Sequence, residues 1–233
     1  MTPSPLPPFG SSPDPPFDLP FDLPFDAVLC DLDGVLRLWD PDGMAALDRA
    51  RSLPAGTLAA AAFHPDRLLP AVTGQVTDEQ WRAAVAADLA EVCGSPAEAT
   101  ALCTEWTEVP AAVDHQVLAL LGAVRRRLPV ALVTNATTRL EADLDALGLT
   151  GAVDAVVNSS RVGVAKPDPA IYRIAAERVG VPPARCLFVD DTDRNVLAAR
   201  ALGMTGLHYR HIGELRDALG PLIDPEPVRE AAG

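Results

Sequence analysis

Positive charge is scarce in this chain. Nineteen lysines and arginines stand against 32 aspartates and glutamates in 233 residues, a net charge of −13. Neutralising nucleic-acid phosphates needs a basic face, so nucleic acid is not expected as a partner, and an anionic substrate would need local positive charge. Cysteine is nearly as rare: Cys30, Cys93, Cys103 and Cys186 show no Cys-x-x-Cys spacing. Two of them fall inside predicted strands, and the four read as reduced core thiols of a cytoplasmic protein rather than a redox pair. No apolar run is long enough to span a bilayer, so no membrane partner is expected either.

Residues 1–25 contain no lysine or arginine but nine prolines, with a tandem Phe-Asp-Leu-Pro from Phe17 to Pro24. Lacking a basic start and an apolar middle, the segment does not read as a secretory signal. Its prolines deny it helix and sheet ladder, so a disordered Pro/Phe-rich tail is expected. Four of the chain's six phenylalanines lie here: Phe9, Phe17, Phe21 and Phe25. The tail therefore reads either as an inert extension or as a docking segment for a protein partner or for the chain's own surface.

From Asp26 onward strand and helix alternate. Short apolar runs place strands at 27–31, 130–134, 153–157, 186–190 and 206–209, with helices around 138–147, 168–179 and 193–202. Gly148, Gly180 and Gly203 follow the helical stretches, where a left-handed residue is wanted. The expectation is an α/β fold, a Rossmann-like doubly wound parallel sheet of about five strands with right-handed crossovers. A gap of about a hundred residues between the first two strands is too long for a structureless loop. Residues 26–36 and 114–220 are assigned to this core, 37–113 to a small inserted helical cap and 221–233 to a C-terminal tail.

The cap carries its own helix-start signals. Thr77 with Gln80 makes a capping box that Val76 can staple onto Trp81, and Ser95-Pro96-Ala97-Glu98 repeats the start. Trp81, Ala84, Val85, Leu89 and Val92 fall on one helical face. Trp81 and Trp106 read as bundle core, while Trp39 near the hinge suits core and ligand stacking equally.

Four acidic residues close two of the apolar runs: Asp31 and Asp33 after Ala27-Val28-Leu29-Cys30, Asp190 and Asp191 around Val189. Ligands of open α/β sheets bind beyond the carboxyl ends of the strands. If these strands are neighbours, the four carboxylates share one crevice, where mutual repulsion of several kcal/mol calls for a cation, most simply Mg²⁺. Val130-Ala131-Leu132-Val133 delivers Thr134 and Asn135 to the same edge, a hydroxyl and turn amides that suit a phosphate oxygen. Lys166 precedes a proline-started helix and can reach back over that edge.

Taken in order, Asp31-x-Asp33-Gly34-Val35, Thr134-Asn135, Lys166-Pro167-Asp168 and Asp190-Asp191 resemble the four motifs of the haloacid dehalogenase-like hydrolases, in the subgroup with a helical cap after the first strand. The stretch from Phe188 to Val196 looks most like a branch holding sugar phosphatases and the N-terminal domains of bifunctional epoxide hydrolases. The resemblance implies a Mg²⁺-dependent phosphatase of a small phosphorylated substrate. In it Asp31 would be the nucleophile and Asp33 the acid and base, a role that favours a raised pKa beside other carboxylates. Asp31, the backbone carbonyl of Asp33, Asp191 and, directly or through water, Asp190 would hold the metal. Thr134, Asn135 and Lys166 would hold the phosphoryl oxygens. A phosphotransferase or phosphomutase using the same aspartyl-phosphate, and a non-catalytic scaffold, remain the alternatives. For substrate choice the cap offers Arg37, Trp39, His64 and Arg67.

Overall fold

A computed structural model describes residues 24–223. The reading of residues 1–23 as a tail, and most of the C-terminal tail, lie outside the described residues. Along the chain the strands are β1 (Ala27–Cys30), β2 (Arg37–Trp39), β3 (Ala111–Val113), β4 (Val130–Thr134), β5 (Ala155–Asn158), β6 (Cys186–Asp190) and β7 (Thr205–His208). Five of them form one sheet in the order β5-β4-β1-β6-β7, every pair parallel. β1 lies at its centre, with Val28 opposite Val130 on one side and Leu187 on the other.

Alternation along each strand sorts side chains onto two faces. Val28, Cys30, Val130, Leu132, Leu187 and Val189 enter one core cluster, and Ala27, Leu29, Ala131, Val133, Cys186 and Phe188 the other. The sheet is buried on both sides, which is why its central strands are continuously apolar in sequence. Helices α6 (His115–Arg125), α7 (Leu140–Ala146) and α11 (Ile212–Ile223) contribute to the first cluster. α9 (Pro169–Val179) and α10 (Asp193–Ala201) contribute to the second, and the single-turn α8 (Ser159–Val162) follows β5.

The insertion leaves and rejoins the sheet domain through β2 and β3, an antiparallel ribbon that pairs Arg37 with Val113 and Trp39 with Ala111. Between them lie α1 (Gly43–Ala50), α2 (Thr57–Ala62), α3 (Pro65–Val72), α4 (Asp78–Leu89) and α5 (Pro96–Thr107). These enclose a third core of their own around Leu58, Trp81, Val85, Leu89 and Leu102. The capping box is present at α4, where Gln80 N–H donates to Thr77 Oγ1 and Thr77 N–H to Gln80 Oε1. Ser95 caps α5 as expected.

Several expectations are corrected. The insertion is not purely helical, because the β2–β3 ribbon forms its stem. Val92 lies beyond the end of α4 and is exposed rather than on its buried face. Phe25, placed in the tail by sequence, is buried in the sheet domain, and Leu222, placed in the C-terminal tail, is buried on α11. α7 begins at Leu140 rather than 138, β5 at Ala155 rather than 153, and β7 spans Thr205–His208. All four cysteines are unbonded, and among the described residues no helix is long and apolar enough to cross a membrane.

Candidate active site

Parallel pairing of β1 with both β4 and β6 brings three strand ends together, so Asp31, Thr134 and Asp190 meet at one edge. Asp31 lies just past β1, its N–H donating to Val189 O at 2.8 Å. Its Oδ1 receives the Leu32 N–H and Lys166 Nζ, each at 2.7 Å. The same ammonium reaches Asp190 Oδ2 at 2.7 Å. Lys166 is the only lysine in the chain, and it is buried. Burial works against its charge, but Asp31 and Asp190 outweigh that cost and the net shift of its pKa is upward. Burial also pushes the Asp31 carboxyl up, with Lys166 opposing and Asp190 adding to the rise.

Asp190 is wholly buried and held from several sides. Besides Lys166 it accepts from Thr192 N–H at 2.8 Å and from Asn195 Nδ2 at 3.0 and 3.2 Å. Asp191 is turned outward, and burial followed by the neighbouring Asp190 charge raises its pKa. Oxygens of Asp31, Asp190 and Asp191 lie within 4.8 Å of one another. Three hard oxygen donors with a surplus of negative charge over one ammonium suit a cation of the Mg²⁺ kind. Gly34 packs against this group: a Cβ there would sit 2.1 Å from Asp191 Oδ2, and its φ is +78°.

Asp33 stands apart from the close group of three carboxylates, although its charge still adds to the upward push on Asp31. Both of its oxygens face Arg37, with Nε–Oδ1 at 2.7 Å and Nη2–Oδ2 at 2.8 Å, and Trp39 Nε1 donates to Oδ1 at 2.6 Å. Arg37 continues to Asp143 at 3.2 Å, and Asp143 accepts from Arg139 at 2.8 Å. The cause is local: the turn after β1 folds Arg37 back, its N–H donating to Leu32 O at 2.7 Å and its carbonyl accepting from Gly34 N–H at 2.9 Å.

Thr134 and Asn135 divide in role. The Thr134 hydroxyl is buried with no hydrogen-bond partner. Such an orphan costs stability unless a ligand completes it. Asn135 is committed instead, donating from Nδ2 to Lys166 O at 2.9 Å and accepting Lys166 N–H at 2.7 Å, which fixes the lysine's loop to the end of β4. Its side chain therefore positions Lys166 rather than waiting for an anion. Asn195, missed as a site residue in the sequence, does the same for Asp190 from the first turn of α10. A polar residue a few places after an acidic pair was the only available signal.

The cap closes over this edge through Asp78. Its N–H donates to Thr138 Oγ1 at 3.0 Å, while its carboxylate accepts from Thr137 at 2.7 Å and from Arg82 at 2.7 Å. A cavity of about 610 Å³ runs from Asp33 and Asn135 into the cap. Arg37 and Trp39 line it; His64 and Arg67 do not, since His64 caps α3 and Arg67 pairs with Asp88. Trp81 and Trp106 are packed against each other, ring centroids 5.0 Å apart, and also form part of the cavity wall.

Residues 25–203 match the family model for haloacid dehalogenase-like hydrolases. The chain is 34% identical over 137 residues to the fructose-1-phosphate phosphatase of Escherichia coli, covering 56% of this chain and 72% of that one. It is 37% identical over 115 residues to a phosphatase of Mycobacterium tuberculosis, covering 46% of this chain and 53%, about half, of the relative. Among solved structures, an enzyme of the same family from Bacteroides thetaiotaomicron, in complex with magnesium and inorganic phosphate, superposes with a TM-score of 0.63 at 21% identity, covering 80% of this chain and 94% of that one. The strand order, the paired acidic strand ends, the buried lysine and the inserted helical unit thus have one origin: the chain belongs to the haloacid dehalogenase-like hydrolases.

Proposed function

We propose that the chain is a phosphatase that hydrolyses a small phosphate monoester through an aspartyl-phosphate on Asp31, with Mg²⁺ as cofactor. The observation that carries this reading is the Lys166 ammonium clasped between Asp31 and Asp190, with the unpartnered Thr134 hydroxyl on the neighbouring strand end. Phosphatases among the relatives support it.

Both hydrogen bonds to the Asp31 carboxylate go to Oδ1. Oδ2 is then the oxygen that attacks phosphorus in line, forming the acyl-phosphate bond as the ester P–O bond breaks. Asp33, in its protonated form and with one oxygen released from the grip of Arg37 and Trp39, delivers that proton to the departing oxygen. A water that gives its proton back to Asp33 then attacks the phosphorus, breaking the acyl-phosphate bond and releasing inorganic phosphate and the Asp31 carboxylate. Thr134 Oγ1, the Asn135 backbone N–H and Lys166 Nζ are the groups for the phosphoryl oxygens. Asp31, Asp191, the Asp33 carbonyl and Asp190 would hold Mg²⁺, which when bound offsets the negative charge of the phosphoryl group.

Phosphate release from p-nitrophenyl phosphate with and without Mg²⁺ tests the reading. Release should require the metal, and Asp31→Asn should bring it to background while the melting temperature stays near that of the parent. Substantial turnover by Asp31→Asn would sink the covalent route.

A further inference from the structure

The cavity that joins Asp33 to the cap has a wall whose charges are already spent. Three arginines line it, Arg37, Arg82 and Arg139, against the four aspartates Asp33, Asp40, Asp78 and Asp143. Arg37 serves Asp33 and Asp143, Arg139 serves Asp143, and Arg82 serves Asp78. A second anionic group on the substrate would meet a wall with a surplus of negative charge, its three arginines each already paired with a carboxylate.

Neutral polar groups are equally committed. Thr137 Oγ1 donates to Asp78, Thr107 Oγ1 to the carbonyl of Thr104, and both polar atoms of the Asn135 side chain are bound to Lys166. The hydroxyls of a sugar would find carboxylate acceptors here but few free donors, so only part of their lost hydration is replaced.

What the wall does offer is rings. Phe63 and Trp39 line the cavity and are about half exposed, 51% and 46%. Phe63 meets Trp106 edge to face with centroids 6.5 Å apart, and the Arg82 guanidinium lies 4.3 Å from the Trp106 ring centroid. Arg82 also keeps one donor, Nη1, buried without a partner. A volume of about 610 Å³ falls within the range of roughly 300–1,000 Å³ that accommodates drug-sized ligands, larger than a two- or three-carbon acid fills.

Resting on the phosphatase reading above, we propose that the substrate is a phosphate monoester whose organic part is uncharged and carries a flat apolar ring, seated against Trp39, Phe63 and Trp106. The site hydrolyses such an ester in preference to a sugar phosphate or a phosphorylated carboxylic acid.

The test compares kcat/KM for 2-phenylethyl phosphate, fructose 1-phosphate and 2-phosphoglycolate with Mg²⁺, all three being esters of primary alcohols. The phenylethyl ester should lead by about tenfold or more, the scale that ring contacts and one apolar pocket supply. Phe63→Ala removes a half-exposed ring without opening the cap core, and should lower kcat/KM for the phenylethyl ester several-fold more than for fructose 1-phosphate. A lead by either polar ester, or equal losses in Phe63→Ala, overturns the inference alone, provided p-nitrophenyl phosphate is hydrolysed. Failure to release phosphate from any of the four compounds would overturn the phosphatase reading and this inference with it.

Discussion

The Asp33 carboxylate is gripped by an arginine and an indole on the first strand of the cap, at 2.6–2.8 Å. Arg37 is itself buried and fixed by the turn that carries Asp33, so it acts through that carboxylate as a positioning residue. Arg37→Gln should lower kcat roughly tenfold to a hundredfold for alkyl phosphates, whose leaving group needs a proton. With p-nitrophenyl phosphate, whose leaving group does not, the loss should be much smaller. Equal losses on the two ester types would argue that Arg37 only supports the fold. At Gly34 the constraint is steric: any side chain meets Asp191 and must also accept φ +78°. Gly34→Ala should weaken Mg²⁺ binding about tenfold or more, as disturbing a group behind a metal ligand does, read from the metal concentration that raises the melting temperature.

At the scale of elements, the loop from Gly163 to Asp168 owes its place to Asn135. Asn135→Ala removes two hydrogen bonds between the end of β4 and the Lys166 backbone, and should cost roughly 1–3 kcal/mol. Because Lys166 then drifts from Asp31, kcat should fall while the fold persists; a stable variant of full activity would show that the loop places itself. The central strands were legible in sequence because both faces are buried, leaving unbroken apolar runs in β1, β4 and β6. The edge strands β5 and β7 are only partly buried, and their limits were read less well. The β2–β3 ribbon was not legible at all: three residues on each side pair across the whole cap, and nothing local marks them. The acidic ends are legible from strand position and Lys166 from the proline-started helix it precedes, whereas the turning of Asp33 toward Arg37 depends on how the following turn closes, which spacing alone does not encode.

For the whole molecule, crowding of Asp31, Asp190 and Asp191 should make stability a function of metal. Mg²⁺ at a hundredfold excess over Kd should stabilise the chain by about 2.7 kcal/mol, seen as a rise in melting temperature that a chelator reverses. No response to millimolar Mg²⁺ would mean the three carboxylates are balanced by Lys166 alone. Phe25, 3% exposed in the core, should cost about 3 kcal/mol on replacement by alanine, measured by denaturant unfolding. Every group of the site described falls between Asp31 and Asn195, so removal of residues 2–23 should leave the catalytic rate within about twofold.

Lys166 makes the fold its own reporter. It carries the one side-chain amine among 233 residues, and that amine lies under two carboxylates in the interior. Acylating reagents that decorate most protein surfaces will find no lysine on this one. Acylation at Nζ should therefore proceed only as fast as the closed site opens, and its rate, followed by the mass of the peptide that carries Lys166, times that opening. Mg²⁺ and phosphate should slow it together.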